Sequence, residues 1–271
     1  MSLEIYDYSV RLEDDVNLQV RHYKCGTSGP TLVLLHEALG SIALWRTFPE
    51  ELCAATGLDV LVYERRGFGS STPIILPLAD DYHEQEGKFW LPRLLSVLNL
   101  ERVVLIGHSD GGSIALIAAA ADFGRVLGLV SMAAHIYVDH LTLAGIREAI
   151  DRYQTTDLST RLARYHGDRT ELLFRAWTET WLRDSFQAAL DLRHWLSGIR
   201  CPALIMQGAN DPYGLPQQVM DIVRGIGPAA TADIITDCGH SPHLEQPEYC
   251  LKAIGAFIEK CVQGQHVSTE V

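Results

Sequence analysis

Short apolar runs recur along the chain, each separated from the next by a stretch of helical pattern. Thr31–Leu35, Val60–Tyr63, Val103–Ile106, Val126–Val130, Ala203–Met206 and Asp233–Ile235 are strand candidates, and most lack any polar/apolar alternation. A strand that is apolar throughout must be covered on both faces, which calls for a parallel sheet with crossover helices on either side. Ile5–Leu12 and Val16–His22 precede them as an antiparallel edge pair, with Glu13-Asp14-Asp15 as the turn. The predicted fold class is therefore α/β: a mostly parallel eight-stranded sheet flanked by helices, with strands 3 to 8 parallel and joined by right-handed crossovers. Ile42–Ala55, Glu86–Leu98, Ser109–Ala121, Leu215–Ile226 and Pro247–Val262 read as the crossover helices.

One stretch breaks this rhythm. From His135 to Ile199 no strand candidate occurs, and Leu158, Leu162 and Tyr165 share one helical face, as do Leu173, Trp177 and Trp181. A helical insertion this long exceeds a simple crossover. It reads as a helical lid, residues 135–199, inserted in a core made of residues 1–134 and 200–271.

Composition narrows the function classes. Hydrophobic residues make up 47% and charged residues 21% of the 271, too apolar for a disordered chain. The net charge of −12 argues against nucleic acid and anionic membrane partners. No apolar run approaches the roughly 20 residues of a membrane span, and the first residues lack a signal core. The six cysteines form no CxxC pair and no Cys/His cluster, so a metal site or disulfide scaffold is not expected. Reduced thiols in a cytoplasmic protein are the expectation.

The chemistry concentrates in Gly107-His108-Ser109-Asp110-Gly111, which follows the apolar run Val103–Ile106 and opens an apolar helix. In a G-x-S-x-G turn of this kind the serine sits on a strained backbone with its hydroxyl above the sheet, and the glycines avoid collision. A serine hydroxyl needs a base, and the base needs an orienting acid. Downstream, Asp211 follows the Ala203–Met206 run, at a strand's carboxyl end where reactive groups collect. Asp139 and Asp237 compete with it. His240 follows the last strand in a loop with Gly239, and is preferred over His243, which lies nearer the final helix. Backbone N–H groups of Glu37 and Asp110 are the expected oxyanion donors. Phe68, Trp177, Trp181 and Tyr213 are candidates to line the substrate pocket.

These motifs, together with Glu64-Arg65-Arg66-Gly67-Phe68-Gly69-Ser70-Ser71, which is similar to a D-x-R-G-x-G-x-S turn, resemble the α/β-hydrolase fold family over nearly the whole chain. The resemblance implies a Ser109–His240–Asp211 triad, an acyl-enzyme, a small-molecule substrate and no cofactor. The expected activity is hydrolysis of a small ester, lactone or thioester. The runners-up are C–C bond hydrolysis or enol-lactonase activity on aromatic ring-cleavage products, and a ligand receptor on the same scaffold. Two residues depart from the family pattern: Glu37 stands where glycine usually follows the loop histidine, and Glu64 replaces the usual aspartate. A carboxylate beside an oxyanion hole opposes the developing charge. Either the Glu37 side chain turns away, toward Arg65 or Arg66, which is the favoured reading, or it has a substrate role. The oligomeric state is not readable from the sequence.

Overall fold

The computed structural model of the chain describes residues 3–263 apart from residues 14, 27, 75, 122 and 123. The turn read at Glu13-Asp14-Asp15 falls partly outside the described residues, and the polar tail after Gln263 wholly so.

The sheet has eight strands: β1 (Glu4–Glu13), β2 (Val16–Lys24), β3 (Thr31–Leu35), β4 (Val60–Tyr63), β5 (Val103–His108), β6 (Val126–Met132), β7 (Ala203–Gly208) and β8 (Ala230–Ile235). Their order is β1-β2-β4-β3-β5-β6-β7-β8. β1 pairs antiparallel with β2 and β2 with β4, while every pairing from β4 to β8 is parallel. The reason for the apolar runs is visible in the core. Val33, Leu35, Leu105 and Ile205 belong to one buried layer, and Leu32, Leu34, Val104, Ile106 and Met206 to the other. Successive side chains point to opposite faces, and both faces are covered. β8 is the exception. It lies at the sheet edge and only Ile235 is buried, which is why the sequence signalled its last residues alone.

The expected helix over Ile42–Ala55 is two elements: a 3₁₀ turn (Ile42–Trp45) and α1 (Phe48–Thr56). Arg46 has φ 52°, a left-handed conformation that no helix continues through, and Pro49 then restarts the helix near its N-terminus. The helix expected from Glu86 begins earlier, at Tyr82, and takes a π turn over Glu86–Trp90. α2 (Asp110–Ala121) is buried over most of its length against β5 and β6. Between β6 and β7 lie α3 (His140–Thr155), α4 (Leu158–His166) and α5 (Thr170–Trp181), followed by short helices Asp184–Ala189 and Arg193–Leu196. Extended pairing there, among the described residues, is one isolated bridge, Tyr137 with Asp191. α6 (Gln217–Ile226) and α7 (Pro247–Gln263) complete the outer layers. Among the described residues no helix is long and apolar enough to cross a membrane.

The cysteine reading needs correction. Cys25, just after β2, and Cys53, on α1, are joined by a disulfide, with their Cα atoms 6.3 Å apart. The two are 28 residues apart and meet only because α1 packs against β2, a contact that spacing does not reveal. Cys238, Cys250 and Cys261 are buried free thiols. Closing a loop of this length stabilises by about 3–4 kcal/mol on the chain-entropy account. Thermal denaturation with and without a reductant is expected to differ accordingly, and Cys25→Ser is expected to melt like the reduced protein. Equal melting temperatures in the two conditions would show that the bridge contributes nothing.

Candidate active site

Ser109 sits between β5 and α2 with φ 53°, one of the few non-glycine residues in the left-handed region. Its N–H donates to the Met132 carbonyl at 2.8 Å. The flanking glycines are steric necessities. A Cβ at Gly107 would run into the Gly111 carbonyl, and one at Gly111 into the Leu35 carbonyl at the end of β3. Asp110 opens α2, so its N–H has no intrahelical acceptor and stands at the positive end of the helix dipole.

His240 reaches Ser109 from the loop after β8. Its Nε2 lies 3.0 Å from Ser109 Oγ, and its Nδ1 lies 2.9 and 3.0 Å from the two carboxylate oxygens of Asp211. Glu245 holds this loop, accepting from the Gly239 N–H at 2.6 Å and the Ser241 N–H at 2.8 Å. Asp211, just beyond β7, also accepts from the Tyr213 N–H at 2.9 Å. Burial pushes the Asp211 carboxyl up, but the charge and hydrogen bond of His240 outweigh it and hold the group below its ordinary range. The competing acids are engaged elsewhere. Asp139 caps α3 through a reciprocal bond with Thr142 and accepts from the Leu215 N–H, and Asp237 makes no contact with His240 among its described bonds. His243 is buried against Trp45, with ring centroids 4.6 Å apart, and away from Ser109.

Above Ser109 is a cavity of about 220 Å³, lined at its floor by Glu37, Ala38, Ser109 and His240 and roofed by residues of α3, α4 and α5. Trp177, Trp181 and Tyr213 line it. Phe68 does not. It borders a neighbouring cavity of about 390 Å³, beneath the Arg65 guanidinium at 4.8 Å, and Trp177 lines both. Helix residues that the sequence did not single out, Ile146, Leu158, Leu162 and Phe174, supply much of the apolar wall. Leu158 and Leu162 share the apolar face read from the sequence, but spacing alone could not say that the face borders a cavity.

The Glu37 side chain borders the Ser109 cavity and does not go to the expected arginines. Its Oε2 lies 3.5 Å from His108 Nδ1. Arg65 is occupied by main-chain carbonyls of His36 and Glu37, at 3.5 and 3.0 Å, and by Asp110 Oδ2 at 3.3 Å. Arg66 stacks over the Trp90 ring at 3.9 Å. The Asp110 carboxylate also accepts from Tyr82 at 2.9 Å and faces His83 Nε2 at 3.3 Å, while Trp181 Nε1 donates to the Tyr82 hydroxyl at 3.0 Å. Burial raises the Asp110 carboxyl, but His83, Arg65 and Tyr82 together hold it well below the usual carboxylate range. Thus the Asp110 carboxylate is taken up by Arg65, Tyr82 and His83. Sequence reasoning missed Tyr82 and His83 because nothing at their spacing links them to the serine turn.

A strained serine at a strand-to-helix turn, with an imidazole and a carboxylate at the carboxyl ends of neighbouring strands, defines the hydrolase class on this sheet topology. The Alpha/beta hydrolase family model matches residues 32–253, and the chain belongs to that family. It is 29% identical over 209 residues to the human serine hydrolase BPHL, covering 74% of this chain and 69% of that one. It is 27% identical over 273 residues to a 2-hydroxy-6-oxononadienedioate/2-hydroxy-6-oxononatrienedioate hydrolase of Pseudomonas putida, covering 91% and 94% of the two chains. Among solved structures it resembles the serine hydrolase CCSP0084 of Cycloclasticus zankles with TM-score 0.77 and 16% identity, over 95% of this chain and 99% of that one. The chain is thus a hydrolase of the α/β family.

Proposed function

We propose that this hydrolase cleaves a small carboxylic ester, lactone or thioester through an acyl-enzyme, with Ser109, His240 and Asp211 as its triad. The observation that carries this reading is the unbroken hydrogen-bonded chain from Asp211 through His240 to Ser109 on the floor of a largely apolar cavity. His240 takes the Ser109 proton as the hydroxyl attacks the carbonyl, and Asp211 orients the ring and stabilises the imidazolium. The ring then donates its proton to the leaving group. Water activated by His240 attacks the acyl-enzyme and releases the acid.

The oxyanion donors are the Asp110 N–H and an N–H of the loop after β3. The Glu37 carbonyl accepts from Gly40 N–H at 3.0 Å, His36 Nδ1 at 2.7 Å and Arg65 at 3.0 Å. In a trans peptide the C=O and the following N–H point oppositely, so the Ala38 N–H faces away from these groups and joins the Glu37 N–H as a candidate donor. Residues 135–199 act as a lid over the core formed by 1–134 and 200–271, and a small molecule is the partner.

The likeness to the P. putida hydrolase favours a second reading, C–C bond hydrolysis or a related enol-lactonase reaction with the same triad. A fluorophosphonate probe tests the nucleophile, and a panel of p-nitrophenyl esters, lactones, acyl-CoA thioesters and ring-cleavage products tests the substrate. Labelling at Ser109 and turnover of the short esters are the expected results. Labelling with turnover confined to ring-cleavage products favours the second reading. A wild-type protein that takes no label and turns over none of the panel favours the reading of a receptor on a hydrolase scaffold.

A further inference from the structure

Behind the Ser109–His240–Asp211 chain lies a second carboxylate–imidazole pair. His108 Nε2 is 2.7 Å from the main-chain carbonyl oxygen of His240. A carbonyl only accepts, so this nitrogen carries a proton. The other ring nitrogen, Nδ1, is buried, has no further partner, and faces Glu37 Oε2 at 3.5 Å. A neutral ring protonated at Nε2 would aim a lone pair at the carboxylate, whereas a doubly protonated ring aims an N–H.

We propose that Glu37 is a positioning residue: its carboxylate pairs with His108, and His108 in turn holds the His240 main chain so that the His240 ring stays seated against Ser109. The inference rests on the serine-hydrolase reading above. The surroundings support it. His108 is faced by Glu37, by the His240 ring at 5.2 Å and by the His243 ring at 4.8 Å, with Asp211 beyond. His243 is held neutral by burial. Glu37 faces His36 as well, and His36 is neutral because its Nε2 accepts from the Arg65 N–H while its Nδ1 donates to the Glu37 carbonyl. Burial opposes charge on both members of the pair, yet their mutual attraction prevails: the Glu37 carboxyl falls to about 2 and His108 is raised. The pairing also answers the problem that Glu37 poses. A bare carboxylate beside the oxyanion would oppose the reaction, and an adjacent imidazolium neutralises it.

The test compares Glu37→Gln with Glu37→Ala. Glutamine can donate its amide N–H to Nδ1 of a neutral His108 and keep Nε2–H on the His240 carbonyl, while alanine leaves His108 unsupported. With p-nitrophenyl acetate, Glu37→Ala is expected to lose about 10- to 100-fold in kcat with KM unchanged, the loss of the buried charge that faces His108, and Glu37→Gln less than about tenfold. The fluorophosphonate labelling rate of Ser109 should fall in the same order. In ¹⁵N spectra of the wild type at pH 7, both His108 ring nitrogens should be protonated, and the downfield Nδ1–H signal of His240 should weaken in Glu37→Ala. A neutral His108 in the wild type overturns the proposal, as does a Glu37→Ala variant with wild-type kcat. A rise in KM at constant kcat, or a glutamine variant as impaired as alanine, means that the carboxylate meets the substrate itself and also overturns it. Wild-type protein that neither labels nor turns over ester defeats the hydrolase reading instead, and the two ¹⁵N signals still decide the pairing.

Discussion

Ser109→Ala is expected to lower ester turnover by roughly 10⁴ or more and to abolish fluorophosphonate labelling, with melting temperature nearly unchanged. The size of the loss follows from what remains. Without the hydroxyl no acyl-enzyme can form, and only oxyanion stabilisation and substrate positioning by the intact cavity are left to assist water. The fold has little reason to respond. The Ser109 hydroxyl hydrogen-bonds His240, which water can rehydrate in the variant, while the main-chain bond from Ser109 N–H to Met132 is indifferent to the side chain. Alanine meets the same left-handed strain at φ 53° that serine already bears. Turnover above about a tenth of wild type, in a variant that melts normally, would place the nucleophile elsewhere and undo the mechanism.

The parts of this molecule legible in its sequence are those set by local rules. Buried parallel strands such as Val103–His108 must be apolar on both faces, and a serine between Gly107 and Gly111 at a strand's end follows from sterics that the two carbonyl collisions make explicit. Strand ends in a parallel sheet also collect reactive groups on one edge, so Asp211 and His240 could be assigned to the site by position along the chain. What stayed hidden depends on partners distant in sequence. The Cys25–Cys53 bridge, the departure of Phe68 from the Ser109 cavity and the choice of His108 over Arg65 by Glu37 are each decided by packing. The Glu37 case is instructive. Charge alone favoured an arginine, but Arg65 is committed to two carbonyls and to Asp110, and Glu37 lies instead against the histidine beside the nucleophile.

That commitment makes Arg65→Met the second variant with a large expected effect. The Arg65 side chain is 3% exposed, as is that of Asp110, and the guanidinium ties the loop after β3 to the first residue of α2. Removing one member of a buried ion pair leaves the other charge uncompensated, at a cost of about 3–5 kcal/mol, or roughly 10 °C in melting temperature for a domain of this size. Arg66→Ala, by contrast, removes a partly exposed guanidinium 3.9 Å from Glu86, and its ionic contribution is about 0–1 kcal/mol. The pH dependence separates lost charge pairing from lost packing. Asp110 is held below its ordinary value, so its contribution to wild-type stability is present above the unfolded carboxyl value and is lost only as pH falls through the lower folded one. In Arg65→Met the deserted carboxyl shifts upward and protonates more readily. The melting-temperature gap between wild type and variant should therefore be widest near pH 8 and narrow toward pH 5. The double variant Arg65→Met/Asp110→Asn should recover part of the deficit at pH 8. A gap that is independent of pH, with no recovery in the double variant, would mean that Arg65 acts through its packing and its two carbonyl bonds rather than through the charge of Asp110.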